Sequence, residues 1–203
     1  KDKLDWIINE RAFRYGDGIH PKHKLTNYHK FFIDRIKNGE SVLDVGCGNG
    51  SVAISIAKKL SSSFVIGIDI NKKNIQFAKE KQKLNNLRNL NFIYGNVNDE
   101  VKIVSDVVIL SNVLEHIQNR SLFLKNVQRL SGAKTFLIRV PYFKRDWQIA
   151  FRKELGMYYF SDNDHKIEHT IKELEEELKE ANLYMEETKL AWGEIWTKCQ
   201  YEI

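Results

Sequence analysis

The chain has 203 residues, of which 42% are hydrophobic and 29% charged. A chain of this length and composition can bury a hydrophobic core, and its composition is not that of a disordered protein. Its net charge of +5 is modest, and Lys and Glu are interspersed, which favours a solvated surface over a nucleic-acid-binding one. No apolar run reaches the roughly 20 residues of a membrane span, and two cysteines cannot build a disulfide framework, so a cytoplasmic protein is expected.

The first 38 residues are predicted to form a helical flap. A helix is predicted over 4–14, a glycine- and proline-punctuated loop follows, and a second helix ends near Gly39, which can adopt the left-handed conformation. We expect the flap to cover a ligand, with Tyr15 and His20 as candidate substrate contacts. His20 and His23 are metal-ligand types, but two histidines without further ligands do not make a site, so no metal site is predicted.

From residue 41 onward, apolar strands alternate with amphipathic helices, a pattern typical of a mainly parallel sheet with helices on both faces. The predicted strands are 41–45, 64–69, 90–94, 104–110 and 135–140, with helices over 50–60, 72–85, 119–131 and 170–181. A closing hairpin is predicted over 184–191 and 194–202, which makes seven strands.

One domain is expected. It comprises the flap 1–38, a cofactor-binding core 39–140, a substrate-cap insert 141–169, and the last helix with the terminal hairpin 170–203.

A glycine-rich turn follows the first predicted strand, with Gly46, Gly48 and Gly50 at alternate positions. Glycine permits positive φ and close approach of a ligand, and the following helix directs its free N–H groups into the turn. The pattern indicates a nucleotide-like ligand. A dinucleotide site would require G-x-G-x-x-G, whereas here G-x-G-x-G is followed by Ser51.

Two carboxylates narrow the choice of ligand. Asp44 lies on the strand just before the turn, where it would repel a diphosphate and favour a cationic ligand. Asp69 ends the second predicted strand, a position suited to the two hydroxyls of an unphosphorylated ribose. S-adenosylmethionine carries a ribose, an ammonium and a sulfonium, so the sequence favours it over a dinucleotide.

Residues 42–52 and 65–70 resemble the first two motifs of the class I S-adenosylmethionine-dependent methyltransferases. Residues 91–97 resemble the family's adenine-wrapping segment, residues 106–117 its fourth-strand motif, and 165–183 its last helix. The resemblance covers about residues 38–203. It implies an α/β fold, a Rossmann-like three-layer sandwich whose seven-stranded, mostly parallel sheet has an antiparallel last strand. It also implies S-adenosyl-L-methionine as the cofactor.

The resemblance implies cofactor contacts residue by residue. Gly46 and Gly48 would line the methionine portion, with backbone carbonyl groups near Gly46 and Ser111 accepting from its ammonium. Asp69 would bind the ribose hydroxyls. The family commonly has an acid where Asn96 stands, and Asn96, Asn98 or Asp99 could accept from the adenine amino group instead. The implied cofactor-binding residues are Asp44, Gly46, Cys47, Gly48, Asp69, Ile70, Asn96, Val97 and Ser111.

Catalysis and acceptor binding are less specified by the sequence. Methyl transfer needs an oriented acceptor and, for an alcohol, removal of a proton, so the candidate bases are His116, His165 and His169. For His116, a structural role as a hydrogen-bonding partner is the favoured interpretation, and a role as base is the alternative. The insert 141–169 is rich in aromatic and basic residues, and its candidate substrate contacts are Tyr142, Trp147, Tyr158 and Tyr159.

The function expected from these residues is methylation of a small polar molecule, with a sugar-containing intermediate as first choice and oxygen favoured as the acceptor atom. An RNA or protein methyltransferase is the alternative, although Ser111 to Leu114 do not form the N-P-P-Y-like tetrapeptide that many nitrogen methyltransferases of these substrates carry. A non-catalytic cofactor-binding scaffold is a further alternative. Nucleic acid is not an expected partner, and the oligomeric state is not predicted.

Overall fold

The computed structural model describes residues 7–8, 11–12, 21–98 and 102–202. Most of the helix predicted over 4–14, and both Tyr15 and His20, lie outside the described residues. Within the described ranges the strands are β1 (Val42–Val45), β2 (Val65–Asp69), β3 (Leu90–Tyr94), β4 (Val107–Ser111), β5 (Thr135–Pro141), β6 (Leu183–Ala191) and β7 (Glu194–Tyr201). The helices are α1 (Lys22–Thr26), α2 (Tyr28–Ile33), α3 (Ser51–Lys59), α4 (Lys72–Leu84), α5 (Arg120–Ser131), α6 (Trp147–Glu154) and α7 (Ile171–Glu180).

The seven described strands form one sheet in the order β3-β2-β1-β4-β5-β7-β6. Strands β1 to β5 pair in parallel, and β7 runs antiparallel to both β5 and β6. The predicted α/β sandwich with a seven-stranded, mostly parallel sheet and an antiparallel last strand is therefore confirmed. The chain order reverses between β1 and β4, and ligand crevices of open parallel sheets form beyond the carboxyl ends of the strands at such a point.

Apolar packing covers both faces of the sheet. On one face, Leu124 of α5 and Leu174 of α7 are fully buried against strand residues such as Leu43. On the other face, Phe32 of α2 and Ile56 of α3 are equally buried. All four residues of β1 are buried because the strand is central and covered twice, which explains its uninterrupted apolar sequence around Asp44.

Two predicted boundaries differ from the structure, and one helix was not predicted. Strand β4 begins at Val107 instead of residue 104, because Val104 is 69% exposed and lies outside the sheet. The helix predicted to run to Asn38 is divided at Asn27, whose φ of 49° is left-handed, and α2 ends at Ile33. The insert 141–169 contains α6, whose N-terminal N–H of Gln148 donates to the Asp146 carboxylate.

No helix among the described residues has both the length and the apolar composition needed to cross a bilayer.

Candidate active site

The glycine turn joins β1 to α3 and uses its glycines for different purposes. Gly46 has a φ of 65°, and a Cβ at this position would lie 2.7 Å from Cγ2 of Val113. At Gly50 a Cβ would lie 2.5 Å from the Phe92 ring, so this glycine allows α3 to pack closely on β3. Gly48, with a φ of 54°, has open space where its Cβ would be. Gly48 is therefore the position at which a ligand can approach the main chain.

Asp69 is held in place beside this turn. Its Oδ2 accepts from the Gly48 N–H at 2.8 Å, and its Oδ1 accepts from the Asn71 N–H at 2.7 Å. Each carboxylate oxygen can accept a second hydrogen bond, which leaves capacity for two ribose hydroxyls. The adjacent Ile70 is 71% exposed, an apolar side chain available to pack on a purine ring.

Asp44 is a buried carboxylate with an unused oxygen. It is 1% exposed, and its Oδ2 has no hydrogen-bond partner in the part of the chain that the structure describes. Burial raises the pKa of Asp44 to about 7, against the hydrogen bond from the Ala53 N–H, and the nearby charge of Asp69 adds to the rise. A cationic ligand group would supply the missing partner. These residues fit the ammonium, sulfonium and ribose of S-adenosylmethionine.

The remaining predicted cofactor residues lie close to the turn in different environments. Val97 and Cys47 are buried in the hydrophobic packing on opposite faces of the sheet. Burial raises the pKa of the Cys47 thiol, so Cys47 acts as a packing group. Asn96 is exposed, and its side-chain oxygen accepts from the Asn98 N–H at 3.0 Å. Ser111 ends β4 and pairs in register with Arg139 of β5. Asp99 lies outside the described residues.

A cavity of about 410 Å³ opens beyond the carboxyl ends of β4 and β5. It adjoins the glycine turn, because Val113 packs on Gly46 while its neighbours Asn112 and Glu115 line the cavity. The lining is dominated by polar and charged groups and comprises Lys22, Asn112, Glu115, His116, Arg139, Pro141, Arg145, Ser161, Asp162, His165, Trp192, Gly193 and Glu194. We call this the acceptor cavity.

Two predicted bases meet in the acceptor cavity. The rings of His116 and His165 lie edge to face with their centroids 4.8 Å apart, although 49 positions separate them in the chain (165 minus 116). They meet because the Lys166 N–H donates to the Glu115 carbonyl at 2.7 Å, which ties the end of the insert to the helical turn after β4. Glu115 is 1% exposed, and burial raises its pKa to about 7.

Arginines and their partners form the rest of the cavity wall. The guanidinium of Arg139 lies 3.7 Å from the centre of the Tyr28 ring and donates to the side-chain oxygen of Asn112, a residue in the left-handed region at φ 57°. Arg145 donates to the buried carboxylate of Glu168. Burial opposes ionisation of Glu168, but hydrogen bonds from His165 and Arg145 lower its pKa to about 2.

These charged wall residues were not predicted as site residues. A usable signal existed for Arg139, because it is the one charged residue of the apolar strand β5, and it is only 7% exposed. A buried charge in such a strand requires partners, and partners at the carboxyl end of a sheet indicate a site.

Several other predicted residues lie outside the cavity lining. His169 is fully buried, with its Nε2 3.0 Å from the Glu177 carboxylate, which also binds Arg120. Of the four predicted aromatic contacts that the structure describes, none is a lining residue. Trp147 is 73% exposed and Tyr158 is 53% exposed. Tyr159 packs against the ring of Phe143, and Tyr142 packs against the hydrophobic core on one face of the sheet.

Comparisons with known proteins agree with this geometry. A family model described as "Methyltransferase domain" matches residues 36–201. Ribosomal protein L11 methyltransferase from Thermotoga neapolitana is 32% identical over 152 residues, covering 69% of this chain and 55% of that protein. The probable (S)-tetrahydroprotoberberine N-methyltransferase 2 of Papaver bracteatum is 30% identical over 102 residues, covering 49% and 28%. This chain thus spans about half the length, or less, of these curated relatives.

A solved structure shows the same fold. Magnesium protoporphyrin IX methyltransferase from Synechocystis PCC 6803, crystallised with bound SAH, superposes with a TM-score of 0.71. The two sequences are 18% identical, and the superposition covers 95% of this chain and 86% of that one.

Proposed function

Because the chain belongs to the methyltransferase domain family, whose methyl donor is S-adenosylmethionine, we propose that it methylates a polar molecule bound in the acceptor cavity. One observation carries the proposal. The cofactor turn and the acceptor cavity share a wall, since Val113 contacts the turn and Asn112 and Glu115 face the cavity. A donor held at the turn therefore presents its methyl group toward an acceptor held in the cavity.

The residues at the turn bind and orient the donor. Asp44 binds the ammonium, directly or through a water molecule, Asp69 binds the ribose hydroxyls, and Ile70 packs on the adenine. The sulfonium supplies its own activation, so the protein has to align the acceptor with the S–CH₃ bond and exclude water. These roles are supported by the unused Oδ2 of Asp44, the fixed carboxylate of Asp69 and the exposed side chain of Ile70.

The acceptor we propose is a small, hydroxyl-rich molecule, such as a sugar-containing intermediate, methylated on oxygen. The cavity of about 410 Å³ has the size of a small-molecule site. Its carboxylates, guanidinium groups and imidazoles can hydrogen-bond several hydroxyls. His116, His165 and Asp162 line the cavity, where an imidazole or a carboxylate can accept a hydroxyl proton, which supports oxygen as the acceptor atom.

A protein acceptor is the second candidate. It is favoured by the 32% identity to ribosomal protein L11 methyltransferase, whose name states a protein substrate. The exposed aromatic side chains of Trp147, Phe151 and Tyr158 would give a macromolecular substrate an apolar surface to contact. An RNA acceptor or a scaffold without turnover has less support, because no observation on the described residues specifically favours either.

The test has two stages, binding and turnover. Calorimetry of the purified protein with S-adenosylmethionine should show one site, and Asp69→Asn should weaken binding by about 1.5–3 kcal/mol, the range for a charged hydrogen bond. The protein is then incubated with donor carrying a labelled methyl group and with sugar-containing small molecules, ribosomal protein L11, or RNA. Label in the small-molecule fraction supports the first candidate, and label in L11 supports the second.

Three outcomes would contradict parts of the proposal. Absence of donor binding would support the non-catalytic alternative, and unchanged affinity of Asp69→Asn would remove the ribose assignment. Label transferred to RNA, with binding that weakens steeply with salt, would replace both candidates by a nucleic-acid substrate.

A further inference from the structure

We propose that Glu115, His116 and His165 bind a divalent cation of the first transition row in the acceptor cavity. This differs from the sequence-based expectation of no metal site. The role that we assign to the cation rests on the proposed function, whereas its binding does not.

The three side chains already converge. One donor atom from each lies within 4.8 Å of the others, and all three residues line the cavity. Coordination at about 2.0–2.2 Å would bring the donor atoms to about 3.3 Å from one another, a contraction that side-chain rotation can supply. Two imidazoles and one carboxylate on a shared cavity wall are a ligand set that leaves coordination positions open for substrate.

A second, independent observation points to a ligand. Glu115 is 1% exposed, and its Oε2 lacks a hydrogen-bond partner among the residues that the structure describes. A buried carboxylate oxygen without a partner is costly unless a ligand satisfies it. Because Glu115 faces the cavity, that ligand has to come from the cavity.

Each histidine has a carboxylate near its Nδ1. Asp164 Oδ2 lies 3.0 Å from His116 Nδ1, at ion-pair distance although not aligned as a hydrogen bond, and Glu168 Oε1 lies 3.6 Å from His165 Nδ1. A carboxylate behind one ring nitrogen is the usual second partner of a metal-bound histidine, because it fixes the ring and makes the other nitrogen a better ligand.

The charge balance of the cavity also favours a cation. Its two arginines have their own carboxylates, since Arg145 pairs with Glu168 and Arg139 lies 3.5 Å from Glu194. Beyond these pairs, Glu115, Asp162 and Asp164 contribute negative charge around the two imidazoles. Lys22 is the remaining basic side chain of the lining, against the three carboxylates near the imidazoles.

The mixed ligands select the class of metal. Imidazole nitrogens suit Mn²⁺ to Zn²⁺, whereas Mg²⁺ and Ca²⁺ prefer all-oxygen sites. The cation would act as a Lewis acid that polarises the hydroxyl group of the acceptor. The hydroxyl oxygen would bind the cation, and its proton would pass to the Asp162 carboxylate and then to solvent. The oxygen next forms a bond to the methyl carbon while the carbon–sulfur bond breaks, and its electrons remain on sulfur as the sulfonium becomes a thioether.

Binding is tested with Co²⁺ alone on the untagged, chelator-treated chain of 203 residues. We expect one Co²⁺ per chain with visible absorption typical of nitrogen and oxygen ligands. Glu115→Gln and His165→Gln should each weaken Co²⁺ binding at least tenfold. His29→Gln is the matched control, because His29 lies on α2 with its Nδ1 2.7 Å from Ser55 Oγ, outside the cavity lining, and should bind Co²⁺ like the unmodified chain.

Donor affinity and melting temperature are measured on every preparation, so that unfolding is separated from loss of the site. Absence of Co²⁺ binding by a chain that still binds S-adenosylmethionine would overturn the inference, as would equal Co²⁺ affinity in the unmodified and cavity variants. Turnover that survives complete chelation would overturn the Lewis-acid role. Failure of the proposed function would instead appear as absent donor binding with Co²⁺ binding intact.

Discussion

Asp44 shows at the residue scale how a binding site is built at the expense of stability. Its pKa of about 7 in the folded chain lies above the value of about 3.9 expected in the unfolded chain. Between these values the folded state holds more protons than the unfolded state, so raising the pH through this window lowers the free energy of unfolding. Above pH 7 the loss is complete, because Asp44 is then ionised in both states.

Asp44→Asn should therefore stabilise the ligand-free chain most at high pH. The neutral amide keeps the shape of the side chain and removes the buried charge. We expect the melting temperature of the variant, relative to the unmodified chain, to increase from pH 5 to pH 8 in differential scanning calorimetry. A difference that does not change with pH would contradict the assigned pKa.

The same substitution should weaken donor binding at least tenfold at pH 8, because a charged hydrogen bond contributes about 1.5–3 kcal/mol. Below pH 7, binding to the unmodified chain should release a proton from Asp44, since a cationic ligand favours the ionised form. Titration calorimetry in two buffers of different ionisation enthalpy measures that release. Equal heats in both buffers at pH 6 would refute it.

At the scale of elements, α7 illustrates how local sequence supports a helix that tertiary packing then uses. Thr170 and Glu173 form a capping box, in which the Thr170 hydroxyl accepts from the Glu173 N–H and the Glu173 carboxylate accepts from the Thr170 N–H. Leu174 and Leu178 then pack fully buried against the sheet. The T-x-x-E pattern before an apolar-periodic run is legible in the sequence itself.

Thr170→Ala should lower the free energy of unfolding by about 1 kcal/mol, the usual cost of losing an N-cap hydroxyl. Urea denaturation measures the change, and Thr170→Ser, which retains the hydroxyl, is the matched control. Because Thr170 belongs neither to the glycine turn nor to the lining of the acceptor cavity, donor binding should be unchanged in both variants. Equal destabilisation by Ser and Ala would mean that the methyl group, and not the cap, is responsible.

At the scale of the whole molecule, donor binding should stabilise the fold as a unit. The turn connects β1 to α3, and the Asp69 carboxylate at the end of β2 is hydrogen-bonded to the turn. The donor site is therefore formed by elements at the centre of the sheet. At a donor concentration 100 times Kd, linkage adds about 2.7 kcal/mol to the free energy of unfolding. For a chain of this size that corresponds to a rise in melting temperature of about 5–10 °C. Asp44→Asn at the same donor concentration should show a smaller rise.

The prediction of elements from sequence was accurate where the signal is local. The seven strands, α3, α4, α5 and α7 all follow from apolar periodicity bounded by glycine, asparagine or proline. The errors concern context. Val104 belongs to an apolar run but is exposed, and the helix is divided at Asn27, whose left-handed φ the apolar pattern does not predict. The apolar pattern shows which residues are hydrophobic, but which of them pair with a neighbouring strand depends on the tertiary structure.

The sequence by itself determined the fold and the cofactor, because each signal is local and all of them fall within one stretch of the chain, residues 44–69. Asp44, the glycine turn and Asp69 are joined by adjacent parallel strands, and each has a chemical meaning at its own position. The acceptor cavity was decided only by the tertiary structure. Its wall combines residues 112–116, 139–145, 161–165 and 192–194, brought together where β7 pairs with β5 and Lys166 bonds to Glu115. Burial and partnership of charges depend on those distant contacts, and no local pattern encodes them.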